Sequence, residues 1–413
     1  NIDNIGTAYD VDFDYLAQSN ADIDNDGNAD NGYGPNGERW YIDGWNTFYD
    51  NVIALDTGDV QIGGTLYSAG IETGQNGTQL ESMFTGFGTP GSSYSLTNLS
   101  AYMVNMMYRE HQVTRGPAMN HILFKQSTET YDYIGSPAVP ANWPWRISMA
   151  AAMTEGVYMM HQAKDAVGDA DMWYDEYAVN LNPAHPTLAY GQSPLKGNKD
   201  DCLNAISWLG DPVEHRRRIY DNNIFDEANA IISADFETDT DGFLGTNLTV
   251  SRVIDTQMSG VGSLHATTMT SYSNSKTGAN VRTPIFNVES GKEYTICFSA
   301  KASRHRKVKT VMGTHQPDGI YVGTEWRRYV MVFRPNTATG IRFFWYLGEQ
   351  NTEFWLDDVY LFEGSADAFI REYDNGIVCL NLTGQNKSFD LGAGSYQRIL
   401  GSNGAGGAPQ DSL

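Results

Sequence analysis

Acidic residues stand at the ends of three short segments with strand character. Asp3 lies in NIDNIG at the start of the chain, Glu81 lies in GTQLES, and the pair Asp175 and Glu176 lies in MWYDEYAV. The long segments between them have helical periodicity. This alternation of strand, acid and helix is typical of a β/α barrel, whose active site collects side chains at the carboxyl ends of its strands. A pair of carboxylates facing each other across such a mouth can cleave a glycosidic bond, so the pattern predicts a glycoside hydrolase.

These acids can be given separate roles. Asp3 is the predicted nucleophile, because an acid at a strand end would point into the barrel mouth. Glu81 is the predicted acid/base, because apolar neighbours favour the protonated form of a carboxyl group. Asp175 and Glu176 would orient the substrate or take one of these roles. The structural alternative for each acid is to cap the next helix or to pair with an arginine. Substrate contacts are predicted for Trp173, Lys125 and Gln126.

The composition limits the class of partner. The 413 residues carry a net charge of −23, and such an acidic surface repels nucleic acid and anionic membranes. No apolar run is long enough to span a membrane. Together with 24 Tyr and 9 Trp residues, the acidity fits an extracellular protein that acts on a neutral or weakly charged polysaccharide.

The cysteines and the start of the chain each support one expectation. Cys202, Cys297 and Cys379 form no CxxC pattern, so we expect buried thiols rather than disulfides or a zinc site. No signal peptide opens the chain, and its first residues already have strand character. We therefore expect further residues upstream, because a barrel that starts here would leave a strand edge uncovered.

An acidic loop near the start of the chain has the composition of a calcium site. DIDNDGNAD carries alternating or nearly alternating acids around Gly27, and calcium prefers several oxygen ligands in a tightly curled loop. Tyr33 stands where an EF-hand would have its bidentate glutamate, so the loop is not an EF-hand. The alternative is a solvated acidic loop. The predicted structural calcium ligands are Asp22, Asp24, Asp26 and Asp30.

The pattern of the chain changes after about residue 230. Short segments with period-2 alternation and regular Gly, Asn and Pro punctuation follow, which is typical of an antiparallel β-sandwich. The fold class is therefore α/β plus all-β: a partial (β/α)8 TIM-barrel region, an inserted jelly-roll sandwich and a small C-terminal β domain. The predicted boundaries are 1–230, 231–365 and 366–413. The basic run RHRKVK either contacts an anionic polysaccharide or protects a strand edge.

The sandwich segment resembles the jelly-roll carbohydrate-binding modules of families four, nine and twenty-two. The matching stretches are SADFETDTDGF, SGKEYTICFSAKA, GTEWRRYVMVFRP and FWLDDVYLFEG. The resemblance implies a structural calcium held by Glu237 and Asp358, with Asp235 or Asp357 as alternative ligands.

The same resemblance implies that aromatic rings stack on sugar faces, because the C–H surface of a pyranose is apolar. The rings predicted to do so are Trp345, Tyr346 and Tyr272. Trp326 and Trp355 are expected to belong to the core.

The flanking parts are similar to the glycosyl-hydrolase barrels of bacterial exported proteins. The similarity rests on Asp3-Asn4, the acidic loop, Glu81, WYDEY, WLGDP and the run REYDNG at 371–376. It implies the later strands of a barrel followed by a terminal β unit. The chain departs from that family because the first three strands are absent and a sandwich interrupts the join to the terminal unit.

Two functions from different classes follow. The first is an extracellular polysaccharide hydrolase, retaining or inverting, in which the sandwich holds the polymer near the catalytic acids. The second is a non-catalytic protein, a filament-forming or glycan-binding derivative of a glycosidase scaffold that can self-assemble. A third alternative is a lyase acting on uronate polymers, with Tyr174 or Tyr177 as the base. The expected partner is a polysaccharide, without nucleic acid or membrane insertion.

Overall fold

The structure is a computed structural model that describes most of the second half of the chain and parts of the first. The described residues are 47, 51, 61–62, 77–81, 100, 101, 103–106, 121–126, 143–163, 212–221, 224–268, 279–304, 306–313, 319–336, 339–347, 353–374, 376–394 and 396. For 61–62, 77–81, 121–126, 143–146, 158–163, 268 and 307 the structure describes the backbone alone. No described helix is both long and apolar enough to cross a membrane.

A parallel sheet of four strands lies in the first part of the chain. Its strands β1 (Gln61–Ile62), β2 (Gly77–Glu81), β3 (His121–Gln126) and β4 (Tyr158–Ala163) are neighbours in chain order. Helix α1 (Trp143–Glu155) connects β3 to β4. Parallel neighbours joined by a helix are β/α units, as the sequence predicts. Closure of these strands into a barrel is not shown.

The Ala- and Met-rich sequence of residues 146–163 predicts one helix. This prediction is wrong in its second half, because α1 ends at Glu155. Gly156 follows with φ of +78°, a conformation that glycine adopts without strain. The N–H groups of Gly156 and Val157 both donate to the carbonyl of Ala152, at 2.8 and 3.0 Å, which closes the helix. The next residues form β4. The stretch is rich in Ala and Met, which suit a helix and a buried strand alike, so its pattern alone does not separate the two.

The remaining strands are antiparallel and form three sheets. They are, in chain order, β5 (Arg217–Ile219), β6 (Ile232–Ala234), β7 (Leu244–Thr246), β8 (Leu248–Val253), β9 (Ser263–Thr268), β10 (Asn280–Arg282), β11 (Tyr294–Ala302), β12 (Arg306–Met312), β13 (Ile320–Val322), β14 (Arg327–Phe333), β15 (Phe343–Tyr346), β16 (Glu353–Glu363), β17 (Ala368–Tyr373) and β18 (Gly376–Asn381). A short 3₁₀ helix lies at Glu227–Asn229.

Two of these sheets pack around one core as a jelly-roll β-sandwich. The five-stranded sheet has the order β13-β12-β15-β10-β7, and the larger sheet has the order β14-β11-β16-β9-β8, with β6 also paired to β16. Side chains of both sheets meet in a single apolar cluster. The aromatic rings of that cluster are wholly or almost wholly buried: Phe236, Phe243, Tyr294, Phe298, Tyr329, Phe333, Phe343, Trp345 and Phe354.

The third antiparallel sheet joins the two ends of the sandwich. Its order is β18-β17-β5, so β5, which precedes the sandwich, pairs with β17, which follows it. The sandwich is therefore inserted between two strands of one small sheet. Arg371 on β17 donates to the carbonyl oxygens of Met153 and Thr154, both at 3.1 Å, and Tyr373 also donates to Met153. The REYDNG run thus caps the C-terminus of α1.

A helical segment from the first part of the chain covers one open side of the sandwich. We name the helical residues 100, 101 and 103–106 the seam helix. Ala101 and Val104 belong to the sandwich core, and Met103 and Met106 are fully buried. The backbone N–H of Val332 on the edge strand β14 donates to the Ser100 hydroxyl at 2.8 Å. The seam helix therefore satisfies a donor that an edge strand would otherwise leave unpaired.

Asn105 makes the matching contact with the other edge strand, β13. Its Nδ2 donates to the carbonyl of Gly319 at 2.9 Å, and its Oδ1 accepts from the N–H of Tyr321 at 3.0 Å. Asn105→Ala is expected to lower the free energy of unfolding by about 2 kcal/mol, because both backbone groups would stay buried without partners. Urea unfolding measures this. The exposed Asn287, which accepts from Gly340, is the matched control and should lose less when changed to Ala; equal losses would contradict the interpretation.

Candidate functional site

The aromatic run on β15 divides between the two faces of the five-stranded sheet. Phe343 and Trp345 are fully buried in the core, whereas Phe344 and Tyr346 are half-buried and lie on the opposite face. This follows from the period of a strand, in which successive side chains point to opposite sides. The Phe344 and Tyr346 rings are nearly parallel, with centroids 5.5 Å apart and an interplanar angle of 12°. They form one aromatic surface outside the core.

Neighbouring strands add polar side chains to the same face. On β10, Asn280 lies opposite Tyr346 and Arg282 lies opposite Phe344; on β12, Lys309 lies on the other side of Tyr346. We name this surface the outer face. Its strand residues, taken from the register, are Leu244, Thr246, Asn280, Arg282, Lys309, Val311, Phe344 and Tyr346.

Arg282 is held in place at one end of its guanidinium group only. Its Nη1 donates to the Thr246 hydroxyl on β7 at 2.8 Å, which fixes the direction of the side chain. Its Nε has no hydrogen-bond partner although it is buried. A buried donor without a partner is costly, so this N–H would gain from any acceptor that reaches it.

Asn280 offers an acceptor in the same position. The residue is 5% exposed, and its Oδ1 has no hydrogen-bond partner. Native structures rarely leave a buried amide oxygen unsatisfied. The Asn280 oxygen and the Arg282 N–H, two residues apart on β10, are therefore one unsatisfied acceptor and one unsatisfied donor, both buried, on the strand next to the aromatic rings.

Tyr346 keeps its hydroxyl proton at neutral pH. Burial raises the pKa of this phenol above its ordinary value, and the charge of Arg282 offsets part of the effect. The hydroxyl can therefore donate as well as accept. No described strand residue of the outer face is an Asp or Glu. This face has the groups that bind a polar molecule with an apolar side, and it lacks the carboxylate pair that would cleave a glycosidic bond.

The aromatic residues predicted to stack on sugar do not share one location in the structure. Tyr346 lies on the outer face. The prediction for Trp345 is wrong, because its ring is fully buried between the two sheets, where it packs edge-on against Phe298. Tyr272 lies outside the described residues. The sequence analysis did not predict Phe344, Arg282 or Asn280 as site residues. For Phe344, the alternation of side chains along β15 indicates the outer position once it is known that Phe343 and Trp345 face the core.

The predicted catalytic residues lie in the first part of the chain. Asp3, Asp175, Glu176 and Trp173 are outside the described residues. Glu81 is the last residue of β2, and Lys125 and Gln126 end β3, so all three lie toward the carboxyl ends of adjacent parallel strands. The roles assigned to these residues stay predictions.

The two carboxylates predicted to share a calcium in the sandwich have protein partners. Both oxygens of Glu237 accept from the N–H of Val261, at 2.9 and 3.0 Å. Asp358 accepts from the Ser259 hydroxyl at 2.9 Å and lies 3.9 Å from an Arg328 nitrogen. Within the described part of the chain, no group of three or more His, Cys, Asp and Glu residues is placed to hold a metal ion. Calcium here stays a prediction.

The calcium predicted for the acidic loop near the start of the chain is a separate case. Its ligands Asp22, Asp24, Asp26 and Asp30 lie outside the described residues. Thermal denaturation with added calcium, and again with a chelator, would test both predicted calcium sites. A metal ion that binds the folded state and not the unfolded state raises the melting temperature.

Two tryptophans expected in the core lie instead on the outside of the larger sheet. Trp355 and Trp326 are half-buried, and the Lys301 ammonium group lies 4.9 Å and 5.8 Å from their ring centroids. His265 stacks on Trp355 with centroids 4.7 Å apart and an angle of 8°. The rings already contact these partners, and both faces of Trp355 are used. The outer face of the five-stranded sheet is therefore the better candidate site.

Solved structures that are similar to this chain match about a third of its length. No protein-family model matches it, and a search of curated proteins finds no match. Among solved structures, the CBM22-1 xylan-binding domain of Paenibacillus barcinonensis Xyn10C is similar, with 14% identity over 33% of this chain and 96% of that domain, and a TM-score of 0.29. The N-terminal cellulose-binding domain of Cellulomonas fimi β-1,4-glucanase C has 16% identity over 32% of this chain and 96% of that domain, with a TM-score of 0.26.

One longer solved structure is also similar to this chain over part of its length. The CBM22-1 and GH10 modules of Clostridium thermocellum xylanase 10B, complexed with xylohexaose, align with 15% identity over 33% of this chain and 29% of that protein, with a TM-score of 0.28. The similar structures include carbohydrate-binding modules, the class that the sequence resemblance predicts. The likeness covers a third of the chain at low identity and does not identify a ligand.

Proposed function

We propose that this protein binds a polysaccharide on the outer face of its jelly-roll sandwich. The observation that carries the proposal is the position of the near-parallel Phe344 and Tyr346 rings beside the unpartnered Asn280 oxygen and Arg282 N–H. A pyranose has an apolar C–H face and a rim of hydroxyl groups. The aromatic rings can contact the C–H face, and the amide and guanidinium groups can hydrogen-bond to the hydroxyl groups.

The polar groups would decide the orientation of the sugar. A hydroxyl group can donate to the Asn280 oxygen and accept from the Arg282 Nε–H, because a hydroxyl carries both functions. Arg282 is already directed by Thr246, so less freedom is lost when the ligand binds. The proposal includes an extracellular or cell-surface location, where polymeric glycans of this kind are met.

Asn280→Ala tests the proposal without relying on a large structural change. We expect a loss of about 1 kcal/mol in glycan affinity, roughly fivefold, because one hydrogen bond to the sugar disappears. We also expect unchanged or slightly higher stability, because the unsatisfied oxygen is removed. Affinity electrophoresis against a panel of soluble polysaccharides, with thermal denaturation of the same samples, measures both quantities.

Asn381 provides the matched control for Asn280. Its Oδ1 accepts from the N–H of Thr383 at 3.0 Å, and its Nδ2 donates to the carbonyl of Gln385 at 2.9 Å. Asn381→Ala should therefore lower stability and leave glycan affinity unchanged. The proposal fails if Asn280→Ala destabilises the fold as much as Asn381→Ala does while binding stays the same.

The second candidate function is glycoside hydrolysis by the first part of the chain. The observation that favours it is the parallel sheet in chain order, with Glu81 at the carboxyl end of β2 and Gln126 at the carboxyl end of β3. Carboxylates at that edge are where a β/α barrel performs its chemistry. On this proposal Glu81 acts as acid/base, with Asp3 as nucleophile.

Glu81→Gln separates the hydrolase from a binding protein. We expect the variant to stop releasing reducing ends from a polysaccharide that the wild-type protein cleaves, and to bind that polysaccharide as before, because the outer face is unchanged. If wild-type protein binds the polymer and releases no reducing ends from any glycan tested, the non-catalytic glycan-binding function is the correct one, and light scattering would then show whether the protein also self-assembles.

A further inference from the structure

The sandwich differs in charge from the rest of the chain. Residues 231–365 contain 13 of the 27 Lys and Arg residues and 14 of the 50 Asp and Glu residues, so this segment has a net charge of −1 against −23 for the whole chain. Almost all of the negative charge therefore belongs to residues outside the sandwich. The repulsion of anions that the total charge predicts does not apply to this segment by itself.

Within the sandwich, the outer face is the basic side of the five-stranded sheet. Its strand residues include Arg282 and Lys309, and the described ones include no Asp or Glu. The acids near the ends of β16 lie elsewhere: Asp358 contacts Ser259, and Glu363 pairs with Lys292 at 2.9 Å. Arg282 therefore has no carboxylate among its described strand neighbours on that face.

The arrangement of Arg282 suits a carboxylate better than a neutral hydroxyl group. Its guanidinium plane is fixed by the bond from Nη1 to Thr246, which leaves the buried Nε–H without a partner. A planar guanidinium group pairs most strongly with a planar anion, and hydrogen bonds to a charged group are about twice as strong as those between neutral groups. Phe344, opposite Arg282 in the register, would hold the ring of the same sugar.

We infer that the outer face is specific for an anionic polysaccharide whose sugars carry carboxylate groups, that is, a uronic-acid polymer. The inference rests on the proposed function, because it names the ligand class of that same site. One uronate carboxylate would pair with Arg282. The aromatic pair would contact the C–H faces of the sugars.

The experiment compares one polymer in its charged and neutral forms. Polygalacturonate and its fully methyl-esterified form have the same backbone and differ at the carboxyl group, which is charged in the first and a neutral methyl ester in the second. We expect the whole protein to bind polygalacturonate at least about tenfold more tightly than the ester, since a charge-assisted hydrogen bond contributes that much. We also expect binding to weaken in 1 M salt, which leaves a Debye length of only about 3 Å.

Arg282→Gln and Lys292→Gln form the variant pair, because each removes a single positive charge. Arg282→Gln should lose about tenfold in affinity for polygalacturonate and little for the ester. Lys292 is exposed, pairs with Glu289 and Glu363 and lies outside the outer face, so Lys292→Gln should bind both polymers as the wild-type protein does.

The possible results separate a failure of the uronate inference from a failure of glycan binding itself. If the wild-type protein binds the ester or neutral xylan as tightly as polygalacturonate, and Arg282→Gln weakens all of them equally, the uronate inference is wrong and glycan binding stands. If no polymer binds, charged or neutral, the proposed function fails and the inference fails with it. If Lys292→Gln weakens polygalacturonate binding as much as Arg282→Gln does, the effect comes from overall charge and the inference is again wrong.

Discussion

The double substitution Phe344→Ala and Tyr346→Ala is expected to remove measurable polysaccharide binding while the protein stays folded. Each ring is half-buried on the outer face, and the two rings together form its apolar surface. Truncating one central aromatic residue of a binding site commonly costs about 2 kcal/mol, or roughly thirtyfold in affinity. Loss of both should approach a thousandfold if the effects add, at about 4 kcal/mol. Isothermal titration calorimetry on the best polymer of the panel gives the size of the effect.

Folding and binding have to be measured on the same sample of this double variant. Phe343 and Trp345, which alternate with these rings along β15, are the ones buried in the core, so the core is untouched and the melting temperature should change little. Tyr396 is 48% exposed and lies outside the outer face, and Tyr396→Ala is the control for loss of an exposed aromatic residue. A double variant that binds normally would show that sugar contacts another surface, and the proposed site would be abandoned.

Arg216→Met is expected to be the most destabilising single substitution in the sheet that joins the two ends of the sandwich. An Arg216 nitrogen lies 2.9 Å from a Glu155 carboxylate oxygen, and only 9% and 4% of the two side chains are exposed. Burial lowers the pKa of Arg216 to about 10, with Glu155 acting in the opposite direction, so Arg216 stays charged at neutral pH. Removing one partner leaves a buried, uncompensated charge, which costs about 3–5 kcal/mol.

The adjacent arginine makes a precise control for this prediction. Arg217 pairs with Glu214 and Glu372, but about half of its side chain is exposed, so Arg217→Met should cost less than about 1 kcal/mol. Chemical denaturation compares the two variants. The double variant with Glu155→Leu should recover part of the loss, because the orphaned carboxylate is gone. Similar small losses for Arg216→Met and Arg217→Met would show that the pair makes no net contribution to stability.

Arg216, just before β5, and Arg218 on β5 also explain how the inserted sandwich is attached. Arg216 and Arg218 both lie over the ring of Phe369 on β17, at 4.5 and 4.8 Å from its centroid. Arg218 also pairs with Asp367 at 2.8 Å. Because β5 precedes the sandwich and β17 follows it, these contacts hold together the two points where the chain enters and leaves. The orientation of the outer face relative to the small sheet therefore depends on this cluster.

Much of the sandwich could be predicted from the sequence, for a physical reason. A strand with one face in a core and one face in solvent must alternate in polarity, and segments such as NLTVSRVI and GSLHATTM do so. These segments became β8 and β9. The break in pattern near residue 230 likewise marks the change from β/α units to antiparallel sheets. Local period and composition were sufficient for these features because each depends on neighbours in the chain.

The candidate site depended on information that the local sequence lacks. FFWY at 343–346 is aromatic at every position, so its polarity has no alternation and does not tell which rings face the core. That choice was made by the opposite sheet, which buries Phe343 and Trp345 and leaves Phe344 and Tyr346 outside. Asn280 and Arg282 come from a strand more than 60 residues earlier in the chain and meet these rings only through the pairing of β10 with β15.

The end of α1 shows the same difference between what the local sequence determines and what the packing decides. An apolar stretch suits a helix and a buried strand equally, and only the packed sheet decided that residues 158–163 would become β4. The sequence by itself determined most strands of the sandwich and how charge is divided along the chain. The tertiary structure alone decided which side chains share a surface, because burial of one face against distant residues fixes what the other face presents to a ligand.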